Sequence, residues 1–131
     1  MALCLPALLC ATPAAAGELV PQAFSARNLA AEPITCTATL AHWYSLQLGT
    51  AEAGERVLAE LWHDPASGAV LLANEHGDLM PVERLWCGLE GRSWQTRSPI
   101  PLDRTPGGHP ASIELDCRMA NGRLACTDAH R

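Results

Sequence analysis

The residues best suited to chemistry are two tryptophans set among small polar groups. Trp43, Ser45 and Gln47 alternate along one segment, and Glu60 and Trp62 along the next. Rigid apolar rings beside hydrogen-bonding groups bind sugar rings or anchor a protein partner, because they present large contact area with few rotors to immobilise. Thr35, Thr37 and Thr39 extend the same polar face. The expected binding residues are therefore Trp43, Trp62, Glu60, Ser45 and Gln47. A hairpin that sets Leu48 opposite Val57 brings Trp43 against Trp62 and His42 against His63. Two inward imidazoles invite a metal, yet no carboxylate is spaced to complete a site, so no metal is expected.

Signatures of catalysis are absent. The chain has no G-x-S-x-G, no H-E-x-x-H, no phosphate-binding loop and no G-x-G-x-x-G. Glu114 and Asp116 alternate on one strand face and lack the unequal surroundings that would make an acid and a base of them. No catalytic residue and no cofactor are expected. The alternatives are an enzyme with an unrecognised site near His42 and His63, or a structural subunit of an envelope assembly.

Cysteines set the compartment. Residues 1–16, MALCLPALLCATPAAA, are uncharged and apolar and end on an Ala-x-Ala site at Ala14 to Ala16, the form of a cleavable signal peptide. Its removal takes Cys4 and Cys10 and leaves Cys36, Cys87, Cys117 and Cys126. An even number in an exported chain points to disulfides, and without a C-x-x-C pair a zinc site is not expected. Asn121-Gly122 marks a two-residue type I′ hairpin, since both central positions need positive φ. Counting outward from that turn sets Cys117 opposite Cys126 in a non-hydrogen-bonded pair, whose short Cα separation suits a bridge. By elimination Cys36 pairs with Cys87.

The elements that must position these groups read as strands. Residues 17–33 lack a strong period and are expected to be a tether. From Ile34 to Leu48 apolar and polar residues alternate as one long strand, and Val57 to His63 forms a second. Asp64-Pro65-Ala66-Ser67-Gly68 predicts a type I turn with a bulge, and Asn74 to Asp78 predicts another turn. Further strands are expected over Ala69–Ala73, Met80–Cys87 and Leu89–Thr96. Residues 97–110 carry four prolines and read as a long loop before the final hairpin.

The expected fold is all-β, a small antiparallel sandwich or barrel of about seven strands, stabilised by disulfides, in a single domain over 34–131. A net charge of −5, with nine arginines and no lysine, argues against nucleic acid and anionic lipid as partners. After signal removal no segment is long and apolar enough to span a membrane. The lysine-free, alanine-rich composition points to a GC-rich bacterial genome. The expectation is a periplasmic or secreted noncatalytic binding module, inhibitor-like or immunity-like, for an envelope protein or glycan.

Overall fold

The computed structural model describes residues 18–130; the expected signal peptide lies outside them. Nine strands run in chain order: β1 (Val20–Asn28), β2 (Ile34–Leu40), β3 (Tyr44–Ala51), β4 (Arg56–His63), β5 (Val70–Ala73), β6 (Leu79–Leu89), β7 (Ser98–Pro99), β8 (Ile113–Ala120) and β9 (Arg123–Asp128). They form one sheet in the order β3-β2-β6-β5-β4-β1-β8-β9, with β7 on the second edge of β6. The fold is all-β, as expected. The strand count is higher, the sheet is open, and it is mixed, because β1 runs parallel to β8.

One face of the strands supplies a single core. Phe24 and Ala26 of β1, Ile34 to Leu40 at alternate positions of β2, Val57 and Leu61 of β4, and Leu85 to Leu89 at alternate positions of β6 bury together with Leu115 and Leu124. Each set has the two-residue spacing that turns side chains to one side of a pleated strand. The outer edge of β9 meets the segment beside β7: Leu124 N–H donates to Thr96 C=O at 2.8 Å, and Cys126 N–H donates to Ser98 Oγ at 2.9 Å. These bonds satisfy edge donors that otherwise invite pairing with another chain.

Three expectations need correction. The segment read as a tether holds β1, which pairs with both β4 and β8. Its buried face is Gln22, Phe24, Ala26 and Asn28, so only one large apolar side chain marks it. Asn28 is fully buried and satisfied: its Nδ2 donates to the carbonyls of Glu32 and Ala51, and its Oδ1 accepts from Ala30 N–H. That network fixes the turn into β2. The long strand over 34–48 is broken by a single 3-10 turn at Ala41–Trp43, where Trp43 takes φ 66°, and β2 and β3 fold onto each other as a hairpin. The strand expected over 89–96 is instead a turn, stabilised by Thr96, whose Oγ1 accepts from Leu89 N–H and donates to Arg92 C=O.

Both disulfides join the expected cysteines, Cys36 to Cys87 and Cys117 to Cys126, each across 4.0 Å between Cα atoms. Cys117 and Cys126 stand directly opposite, and Asn121 and Gly122 take φ of 53° and 79° as the type I′ turn requires. The Cys117 carbonyl accepts from Leu29 N–H while Cys126 N–H donates to Ser98, so neither group points into the shared ladder. This is the non-hydrogen-bonded arrangement. Cys36 and Cys87 are likewise directly opposite across β2 and β6. The turns at Asp64–Gly68 and Asn74–Asp78 also form where expected, closed by Gly68 N–H on Asp64 C=O at 2.7 Å and Gly77 N–H on Asn74 C=O at 3.0 Å.

Candidate functional site

The sequence-predicted surface is divided by the fold. Trp43 stands at the tip of the β2–β3 hairpin, 93% exposed, and Ser45 and Gln47 follow it on the exposed face of β3. Glu60 and Trp62 lie on β4, which pairs with β1 and β5 and makes no ladder with β3. The neighbour of Trp62 across the sheet is Pro21 on one side and Leu71 on the other. The two tryptophans therefore do not meet. Val57 and Leu61 face the core as alternation predicts, but Tyr44, expected inward, is exposed, and the strand partner differs because β1 takes the position beside β4 that a β3–β4 hairpin needs.

His63 is fully buried, and both its ring nitrogens lack hydrogen-bond partners among the described residues. An imidazole sealed in the core does not reach a substrate. The side chain of His42 lies outside what the structure describes. Among the described residues the one cluster with metal-ligating spacing is the sulfurs of Cys87, Cys117 and Cys126, within 4.8 Å of one another, and all three are committed to disulfides.

A different site forms on the outer side of β6. Leu85, Cys87 and Leu89 turn to the core, which leaves Arg84 and Trp86 on the opposite face. The chain after β6 folds back over that face. Ile100 N–H donates to Leu85 C=O at 2.8 Å, and Pro99 pairs with Trp86 across β7. Between strand and returning segment lies a cavity of about 440 Å³ lined by the aliphatic Ile100 and Leu102, by Arg84, Arg97 and Arg104, and by one acidic residue, Glu83. That volume falls within the range of small-ligand and side-chain pockets.

Two tryptophans form its inner wall. Trp86 is 8% exposed and Trp94 46% exposed; their ring centroids are 5.3 Å apart at an interplanar angle of 80°, an edge-to-face pair. The Arg97 guanidinium sits 3.9 Å from the Trp94 ring centroid and donates through Nη1 to the Trp94 carbonyl at 2.8 Å. Stacking and hydrogen bond together hold the cation in place without neutralising it. Arg104 is held by a hydrogen bond alone, its Nη2 donating to the Glu83 carbonyl at 3.0 Å. Among the described residues no carboxylate lies within ion-pair distance of Arg84, Arg97 or Arg104. The Nε1–H of Trp86 is buried without an acceptor among the described residues.

Two glycines seat the loops that carry these groups. A Cβ on Gly88 would stand 2.2 Å from the Ser93 carbonyl oxygen, so the turn bearing Trp94 rests on bare backbone. A Cβ on Gly68 would stand 2.0 Å from the Arg104 carbonyl oxygen. On the other side of Trp94 a polar hollow of about 410 Å³ is lined by Thr35, Thr37 and Gln47. The threonine face thus adjoins the groove through Trp94, which the sequence reading did not single out. The available signal was the pair Trp86 and Trp94 around a turn, with Arg84, Arg92 and Arg97 interleaved.

No protein-family model, no curated protein and no solved structure matches the chain. The groove is therefore read from its own chemistry. Among the described residues no helix is long and apolar enough to cross a membrane.

Proposed function

We propose that the protein is an exported, noncatalytic binding module of the cell envelope, and that it recognises a protein or glycan partner through the groove between β6 and residues 94–104. One observation carries this reading. Three arginines that have no ion-pair partner among the described residues line a groove with a tryptophan pair and only one acidic residue, Glu83, in a chain whose net charge is −5. In an acidic protein, attraction distributes carboxylates around cations, so an arginine cluster in which Arg97 and Arg104 are held by backbone carbonyls, Arg97 also by an indole face, is a local exception. Cations positioned in advance lose less side-chain entropy when a ligand arrives. The disulfides support an oxidising compartment.

Trp43 offers a second contact point. A bulky residue at positive φ is rare and is held only where its surroundings enforce it, and here the side chain it presents is almost wholly exposed. Capture from envelope extract by the oxidised protein separates the two surfaces. Trp94→Ala abolishes capture while Trp43→Ala and Trp62→Ala retain it if the groove is the recognition surface. Capture that survives Trp94→Ala and is lost in Trp43→Ala overturns that assignment.

A further inference from the structure

We infer that the occupant of the groove is an acidic, extended peptide segment of a partner protein, an inference that rests on the groove being the recognition surface. The charged and the aliphatic parts of the lining ask for different things from one ligand. Arg84, Arg97 and Arg104 outnumber the one acidic residue of the lining, Glu83, and among the described residues none of the three has an ion-pair partner, so their guanidinium forks are free to match carboxylates in a planar, two-point geometry. The aliphatic part of the lining comes from Ile100 and Leu102. A chain that alternates carboxylate and apolar side chains meets both, because successive side chains of an extended peptide point to opposite sides.

The same geometry disfavours a sugar chain. Within the groove, ring stacking needs a free indole face, whereas there Arg97 lies 3.9 Å over Trp94 and the Trp86 ring meets Trp94 edge to face. Trp86 itself is 8% exposed and offers no open platform. Nucleic acid is disfavoured by the charge of −5, which repels a polyanion approaching from any other side. A short acidic segment needs to come close only at the groove.

The test is fluorescence anisotropy with the oxidised protein and a labelled twelve-residue peptide alternating glutamate with leucine. Its glutamine counterpart and a glucuronate oligosaccharide serve as the other probes. Binding of the glutamate peptide is expected to exceed that of the glutamine peptide and to weaken as salt is raised from low to physiological strength. Arg84→Gln is expected to weaken it about fivefold and the double change Arg84→Gln/Arg104→Gln about twentyfold, as for exposed ion pairs that add. Near-UV circular dichroism confirms that the variants keep their fold. Equal binding of the glutamate and glutamine peptides overturns the inference, as does tighter binding of the glucuronate chain. If envelope capture depends on Trp94 but ignores the arginine changes and the acidic competitor, the inference fails while the groove stands as the recognition surface. Capture indifferent to Trp94→Ala removes the groove itself.

Discussion

Gly88→Ala reaches the groove without altering any residue that lines it. The added Cβ meets the Ser93 carbonyl oxygen at 2.2 Å, its Cα at 2.6 Å and its carbonyl carbon at 2.7 Å, all backbone atoms with no rotamer to change. Ordinary contact begins at 3.4 Å, so the turn must withdraw by about 1.2 Å. That turn is tied on both sides, by Leu89 N–H on Thr96 Oγ1 at 2.9 Å and by Leu124 N–H on Thr96 C=O at 2.8 Å. Overpacking costs about 1–3 kcal/mol, and each of the two hydrogen bonds contributes about 1 kcal/mol. The expected destabilisation is about 2–4 kcal/mol, which in a domain of this size lowers Tm by about 10 °C or more. Gly108→Ala is the control, because its Cβ meets nothing closer than the Thr105 carbonyl oxygen at 3.4 Å. It is expected to change stability by less than about 0.5 kcal/mol. Thermal unfolding followed by circular dichroism reads both, and peptide anisotropy reads the groove. A Gly88→Ala protein that melts with the wild type and binds the glutamate peptide unchanged would refute the claim that bare backbone at this position seats the Trp94 turn.

Cys36→Ser frees Cys87, whose sulfur lies within 4.8 Å of those of Cys117 and Cys126. Its thiolate is expected to attack the remaining bridge, forming a new disulfide to one cysteine and releasing the other as thiolate. Peptide mapping under non-reducing conditions should find Cys87 joined to Cys117 or Cys126, and exclusive recovery of Cys117–Cys126 with free Cys87 contradicts this. His130 is held above its ordinary pKa chiefly by its hydrogen bond to the Glu114 carboxylate, with the charge of Glu114 adding to it. A raised folded pKa means the pair stabilises fully below the unfolded value of about 6.5 and loses its contribution as pH rises through the folded value. NMR titration should place His130 above that value and Glu114→Gln should lower it; equal midpoints would dismiss the pairing. His63→Leu removes two buried ring nitrogens that lack partners and is expected to raise stability by about 1 kcal/mol, measured by denaturant unfolding. A clear loss of stability would mean that the ring is hydrogen-bonded in solution.

What was legible in the sequence was local. The Cys117–Cys126 register follows from a two-residue turn a few positions away, and Asn121 and Gly122 have few conformations that satisfy it. The inward faces of β2 and β4 follow from alternation, which reports burial whatever the neighbouring strand is. Strand partnership is not local. Leu40 to Tyr44 contains no Gly, Pro, Asn or Asp, so the reversal between β2 and β3 left no turn signature, and alternation ran through it unbroken. β1 was concealed because Gln22 and Asn28 occupy its inward positions, each satisfied in part or in full by backbone partners that only the folded chain supplies. Missing β1 removed the strand that separates β4 from a hairpin with β3, and with it came the false meeting of Trp43 and Trp62. The groove escaped notice because its arginines come from β6, a turn and a loop. Their common feature, the absence of an ion-pair partner among the described residues, exists only in three dimensions.

The indole N–H resonances of the four tryptophans test the central claim most directly. In a nitrogen–proton correlation spectrum of the oxidised protein each gives one signal. Titration with the glutamate–leucine peptide is expected to shift those of Trp86 and Trp94, which wall the groove, and to leave those of Trp43 and Trp62 in place. Shifts confined to Trp43 or Trp62, with Trp86 and Trp94 unmoved at saturation, would contradict the account.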